Sequence, residues 1–205
     1  MEAINYDKFK WQISGDLKVI ALLFGLQQGF TKYCCFICEW DSRARTLHYS
    51  RKDWLARKSL EPGILNVENQ PLVEPGKILL PSMLFKLGDE KFCKGHEPRR
   101  SCLYLREKFP RLSKAKLKEG IFIGPQIRDL IKDEYFDKPL QGDEKAAWGS
   151  FKFVIKGFLG NGRAQNYDEL VNNLLQSYQK LGCNMSLKIH FFTRISIFSQ
   201  IIVVQ

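Results

Sequence analysis

Acidic residues are the minority charge in this sequence, and that shortage narrows its chemistry. Among 205 residues, 22 Asp+Glu stand against 32 Lys+Arg, a formal net charge of +10. A two-metal phosphodiester site needs several carboxylates converging from separate strands, and one acid alone, Asp16, stands in a convincing setting. The phosphate-loop pattern GxxxxGK, the nucleophile pattern GxSxG and the zinc-protease pattern HExxH do not occur. The start, Met1-Glu2-Ala3-Ile4-Asn5-Tyr6-Asp7, lacks a basic stretch leading into an apolar run, so no secretory signal is expected. The longest apolar stretch, Ile195 to Val204, is broken by Ser196, Ser199 and Gln200 and is too short to cross a bilayer. Internal repeats and low-complexity tracts are absent too. The six cysteines are unevenly spaced, so reduced thiols or a metal site are expected in preference to a disulfide framework, and with them an intracellular location.

What remains is the composition of an ordinary globular protein, with 44% apolar and 26% charged residues. The basic surplus favours polyanionic partners such as DNA or RNA, although a solvated basic surface gives the same count. The most informative stretch is Gly15-Asp16-Leu17-Lys18, followed by a helix-like apolar run and then by Cys35-Phe36-Ile37-Cys38 and His48.

Alternation of Phe9, Trp11 and Ile13 predicts a short strand over Lys8 to Ser14, with Asp16 at its C-terminal end. A helix is expected from Leu17 to Gln28, capped by Asp16 or Ser14 and ended by Gly29. An acid at a helix start has a sufficient structural role as an N-cap. Asp53 to Lys58 suggests one helical turn, and the turn-rich text from Glu61 to Pro81 an irregular connector with a short strand at Lys77 to Leu80. Gly88 to Arg100 reads as a loop. Helices are predicted over Cys102 to Phe109, Ser113 to Glu119, from Pro125, over Asp143 to Phe158 (closed by Gly160) and from Asn166 to Gly182. Asn166 with Glu169 has the form of a capping box. The Trp and Phe residues on these stripes belong to a core. The last fifteen residues, Phe191 to Gln205, are apolar and β-prone, an aggregation hazard if exposed.

Cys35-x-x-Cys38 with His48 supplies three ligands of the zinc type in one loop, since thiolates and imidazole suit that ion. Cys34, Cys93, His96, Cys102, Cys183 and His190 stay open as further donors. Buried cysteines without a metal give the same pattern. Arg43 and Arg45 in the thiol loop, and Lys114, Lys116 and Lys118 near Arg106, Lys108 and Arg111, form basic stretches suited to a phosphate backbone or simply to a wet surface.

Four segments carry a resemblance: GDLKVIALLFGLQQGFTKYCCFICEWDSRARTLHY, KILLPSMLFKLG, LREKFPRLSKAKLKEGIFIGPQIRDLIKDEYF and LGCNMSLKIHF. Over about Trp11 to Phe191 the chain resembles a family of uncharacterised, multicopy animal proteins of arthropod type. That family is itself similar to cut-and-paste DNA transposases with an RNase H-like catalytic core. The resemblance implies that Asp16 corresponds to the second acid of a DDE triad, that Cys35, Cys38 and His48 lie in a motif following it, and that intact members use two magnesium ions. The sequence departs from the pattern in several places. The first catalytic acid falls before residue 1, and the catalytic Glu falls beyond a point at which Phe192 onward has left the pattern. Leu84 stands where a histidine is expected, and Asp89 to Arg100 diverges.

The expectation is an α+β, predominantly helical fold. A partial RNase H-like segment over 1–30 precedes a Cys/His loop and connector over 31–100, a helical insertion domain over 101–190 and a divergent apolar tail over 191–205. The function expected is that of a truncated transposase-derived protein, not an enzyme as it stands, with Asp16 vestigial. Nonspecific DNA binding, a structural zinc ion, a nuclear location and no membrane association complete the reading. The alternative is a zinc-stabilised protein-interaction module with no nucleic-acid role.

Overall fold

The computed structural model describes residues 12–29, 31–79, 100–118, 122–157 and 164–194, with the side chains of Leu79 and Lys118 excepted. Lys8 to Trp11, Leu84, Cys93, His96, Gly160 and the tail from residue 195 lie outside the described residues, as do the expectations placed on them. The fold is predominantly helical. In chain order it holds β1 (Ile13–Ser14), α1 (Leu17–Leu23), β2 (Ile78–Leu79), α2 (Arg100–Lys108), α3 (Lys114–Lys118), α4 (Gly124–Lys132), α5 (Gly142–Gly157), α6 (Tyr167–Lys180) and α7 (Leu187–Thr193). The chain divides into two compact units, 1–84 with 190–205, and 85–189.

In the first unit, β1 pairs in parallel with β2, Ile13 opposite Ile78 and Ser14 opposite Leu79. Asp16 then caps α1, its Oδ1 accepting the Val19 N–H at 2.9 Å. Helix α1 stops at Leu23, five residues short of the expected Gln28. The cause is tertiary. Gly25 adopts φ +63°, and the carbonyls that would continue the helix are taken by a returning strand of chain. Leu72 N–H donates to Leu23 O at 2.8 Å, Glu68 N–H to Gly25 O at 2.7 Å, and Leu26 bridges Val67. A Cβ on Gly25 would lie 1.9 Å from the Asn69 carbonyl oxygen. Gly25→Ala is therefore expected to destabilise this unit by at least about 1–2 kcal/mol, from the left-handed backbone alone. A lowered midpoint in urea unfolding checks it, and an unchanged midpoint refutes the account.

The expected helical turn over Asp53 to Lys58 does not form. This segment is extended, with Ala56 bridging Cys38, Glu39 N–H donating to Leu55 O and Arg57 N–H to Ile37 O. Pairing with the thiol loop outweighs a weak local preference. The core of the unit is aromatic: Phe24 stacks on Phe36 at 4.6 Å, and Phe36 meets Phe191 at 5.5 Å. Phe191 and Phe192, expected in a β-prone tail, are buried residues of α7.

The second unit follows its apolar stripes closely. Ala147, Trp148, Phe151 and Val154 of α5 and Leu174 and Tyr178 of α6 are buried. Helices α5 and α6 approach closely at Gly157, where a Cβ would come within 2.5 Å of Leu170 Cδ1. Trp148 packs edge-on to Phe136 at 5.1 Å, and its indole N–H donates to Asp137 Oδ1 at 2.7 Å. Pro125 stands in the first turn of α4, and the Gln126 side chain accepts the Ile123 N–H at 2.9 Å. The capping box at Asn166 does not form, because φ −95° and ψ 26° carry no side-chain cap bond. Gly182, at φ +70°, follows the end of α6 as expected. Cys34, Cys35, Cys38 and Cys183 are reduced thiols, whereas Cys102 is disulfide-bonded. Among the described residues no helix is long and apolar enough to cross a membrane.

Candidate metal centre

Cys35 and Cys38 flank a tight turn in the first unit, and α7 brings His190 to them. The three donor atoms lie within 4.8 Å of one another. Cys35, Cys38 and His190 are 0%, 1% and 0% exposed. The two sulfurs are 3.7 Å apart, and Cys38 Sγ lies 3.1 Å from His190 Nε2. Two thiolates at about 2.3 Å from a tetrahedral zinc ion stand about 3.8 Å apart, so the sulfur pair already has the spacing that such an ion sets. The backbone N–H groups of Ile37 and Cys38 favour the thiolate form of Cys35, as outer-shell partners of metal sites do.

The electrostatics are asymmetric. The hydrogen bond between Cys35 and Cys38 outweighs burial and, helped by His190 and Arg194, lowers the Cys38 thiol to about 4. Burial, with the same hydrogen bond, pushes Cys35 well up. Burial also raises Cys34 to about 11 and holds His190 below its usual range. A neutral imidazole and one ready thiolate are the forms that ligate a metal.

His48 is not part of this cluster. It is buried, but its Nε2 lies 2.8 Å from the Asp41 carbonyl and its ring packs on Trp40 at 4.8 Å. Its closeness to Cys38 in sequence is a local accident, whereas His190 arrives from 152 residues away. Three supporting residues went unforeseen. Trp40 stacks on the His190 ring at 4.6 Å and 10°, fixing its orientation. Arg57 gives hydrogen bonds to the carbonyls of Cys35, Tyr33 and Leu65, which pins the thiol loop. Arg194, one turn beyond His190, is buried and donates to the Trp54 carbonyl. The one available signal was the i, i+4 spacing of His190 and Arg194 in otherwise apolar text.

Asp16 is exposed and spends its Oδ1 on the Val19 N–H. Cys35, Cys38 and His190 are the only group of three or more metal-type side chains brought together among the described residues, and Asp16 is not one of them. Arg43 and Arg45 are exposed in the first unit, as are Lys114 and Lys116 on α3 in the second, while the Lys118 side chain lies outside the described set. Lys108 is not available to a phosphate, because its Nζ pairs with Asp133 at 2.6 Å.

Residues 1–73 match the model of a domain of unknown function (DUF8703), and residues 89–160 match that of a second (DUF8704). One match falls in each compact unit. No curated protein and no solved structure matches the chain.

Proposed function

We propose that the chain is a zinc-braced, transposase-derived DNA-binding protein without catalysis of its own. The observation that carries this reading is the buried Cys35–Cys38–His190 cluster with its 3.7 Å sulfur spacing. Zinc held there acts structurally in this reading, tying α7 to the thiol loop, because all three donors are buried. The transposase ancestry rests on the resemblance described above. It is supported by a parallel strand, a strand-end acid and a following helix, the local order of an RNase H-like edge. Asp16 is in this reading a vestige, now a helix cap. The reading also carries an intracellular, nuclear location.

DNA binding follows from the net charge of +10 and from Arg43, Arg45, Lys114 and Lys116, all exposed. It is expected to be sequence-tolerant and to weaken steeply with salt, with a log–log slope near −0.9 for each phosphate neutralised. Fluorescence polarisation on duplex DNA across a salt series measures this. A second reading, a zinc-stabilised protein-interaction module, is favoured by the exposed apolar residues Val19, Leu22 and Leu72 beside α1. Absence of DNA binding at low salt would select it.

A further inference from the structure

Helices α5 and α6 leave a groove of about 260 Å³ between them, lined by Ser150 and Phe153 on one side and by Leu170, Asn173, Gln176, Ser177 and Lys180 on the other. We infer that this groove is a single-stranded nucleic-acid site, in which an unpaired base stacks on Phe153, the amides of Asn173 and Gln176 meet its edge, and Lys180 meets the adjoining phosphate. The inference rests on the nucleic-acid reading above and adds the form of substrate and the residues that take it.

Phe153 is 63% exposed on a helix whose other aromatic residues, Trp148 and Phe151, are buried. Its ring is therefore the one aromatic face that α5 presents to solvent, at the rim of the groove. Beside it, Gly149 opens the α5 surface, for a Cβ there would meet nothing within 4 Å. The floor is closed by the Ser150–Ser177 hydroxyl pair at 3.0 Å, with Ser177 bonded on to the Asn173 carbonyl. Across from the ring, residues 173, 176, 177 and 180 fall at i, i+3, i+4 and i+7, one polar stripe of α6. The Asn173, Gln176 and Lys180 side chains are exposed. Two amides supply both donors and acceptors, which suits a base edge. No carboxylate lines the groove, and its one charged residue is a cation. A flat ring, amides and a lysine together make the combination that binds unpaired bases with tolerance of sequence. A paired base inside a duplex presents no face to such a ring.

The test is fluorescence polarisation of the full chain with a short labelled oligothymidylate and with a duplex of equal length. The single strand is expected to bind more tightly than the duplex. Phe153→Leu, which keeps apolar bulk and removes the flat ring, is expected to weaken single-strand binding by about 5- to 150-fold and to leave duplex binding unchanged. Phe153→Trp is expected to retain it. Lys180→Gln is expected to reduce the single-strand salt slope by about 0.7. Duplex binding together with a Phe153→Leu variant that holds the single strand as well as the parent overturns the groove and spares the DNA reading. Binding to neither probe overturns both.

Discussion

Cys38→Ser is expected to abolish zinc retention, taking metal content from one ion per chain to none, and to cost the first unit its cooperative unfolding transition. The effect is large because two soft donors and an imidazole are desolvated together at 0–1% exposure and the two sulfurs have the spacing that a bound ion sets. Structural zinc contributes on the order of 10 kcal/mol in small domains, comparable to the whole stability of a unit of this size. His190→Gln is expected to have the same consequence, and His48→Gln to leave zinc in place, since His48 is engaged with the Asp41 carbonyl. Elemental analysis of the purified proteins, with circular dichroism before and after a chelator, reads all three. Equal zinc in parent and Cys38→Ser, or loss in His48→Gln with retention in His190→Gln, would sink the assignment. The protonation states add a sign. Burial favours the protonated form of Cys35 in the metal-free site, whereas its hydrogen bonds favour the thiolate at Cys38. Zinc uptake is then expected to release about one proton, measurable by calorimetry in buffers of different ionisation enthalpy.

The second large effect is expected at Asp133. Its carboxylate is 7% exposed and accepts from the Tyr104 hydroxyl at 2.6 Å and from Lys108 Nζ at 2.6 Å. Its other oxygen accepts the Tyr135 N–H at 3.0 Å, starting the 3₁₀ turn over Glu134–Asp137. Removing it strands a partly buried ammonium and a phenol and takes away a cap. Asp133→Ala is expected to destabilise the second unit by about 1.5–3 kcal/mol. Burial disfavours the charged carboxylate, but the bonds from Lys108, Tyr104 and Tyr135 prevail and hold it below its ordinary 3.8. A depressed folded value contributes stability above the unfolded one and loses it as pH falls through the folded one. The parent should therefore lose stability between about pH 4 and the lower folded value, and Asp133→Ala should lack that step. Chemical unfolding at several pH values decides. A loss under about 1 kcal/mol, or an unchanged acid limb, would show that the pair is ornamental.

The second unit was largely readable in advance, because its helices are written in amphipathic stripes that local periodicity reports: Trp148, Phe151 and Val154 on α5, Leu174 and Tyr178 on α6. Where local rules failed, long-range pairing had overridden them. Helix α1 ends early because residues 66–72 take up the backbone that would have extended it, and the segment at Ala56 is extended because Cys38 pairs with it. The candidate metal site was half visible. The CxxC spacing marks two donors on one turn, which is local geometry. The third donor is placed by packing of Phe36 on Phe191 and Trp40 on His190, and no spacing rule reaches across 152 residues. Nearness in sequence favoured His48, and nearness in space chose His190.

That separation orders events during synthesis. Ribosomal elongation at about 5–20 residues per second places His190 some 8–30 s behind Cys38. Over that interval the nascent chain carries the thiol pair without the imidazole that joins it in the folded unit, and all of residues 85–189 is translated before the first unit can be finished.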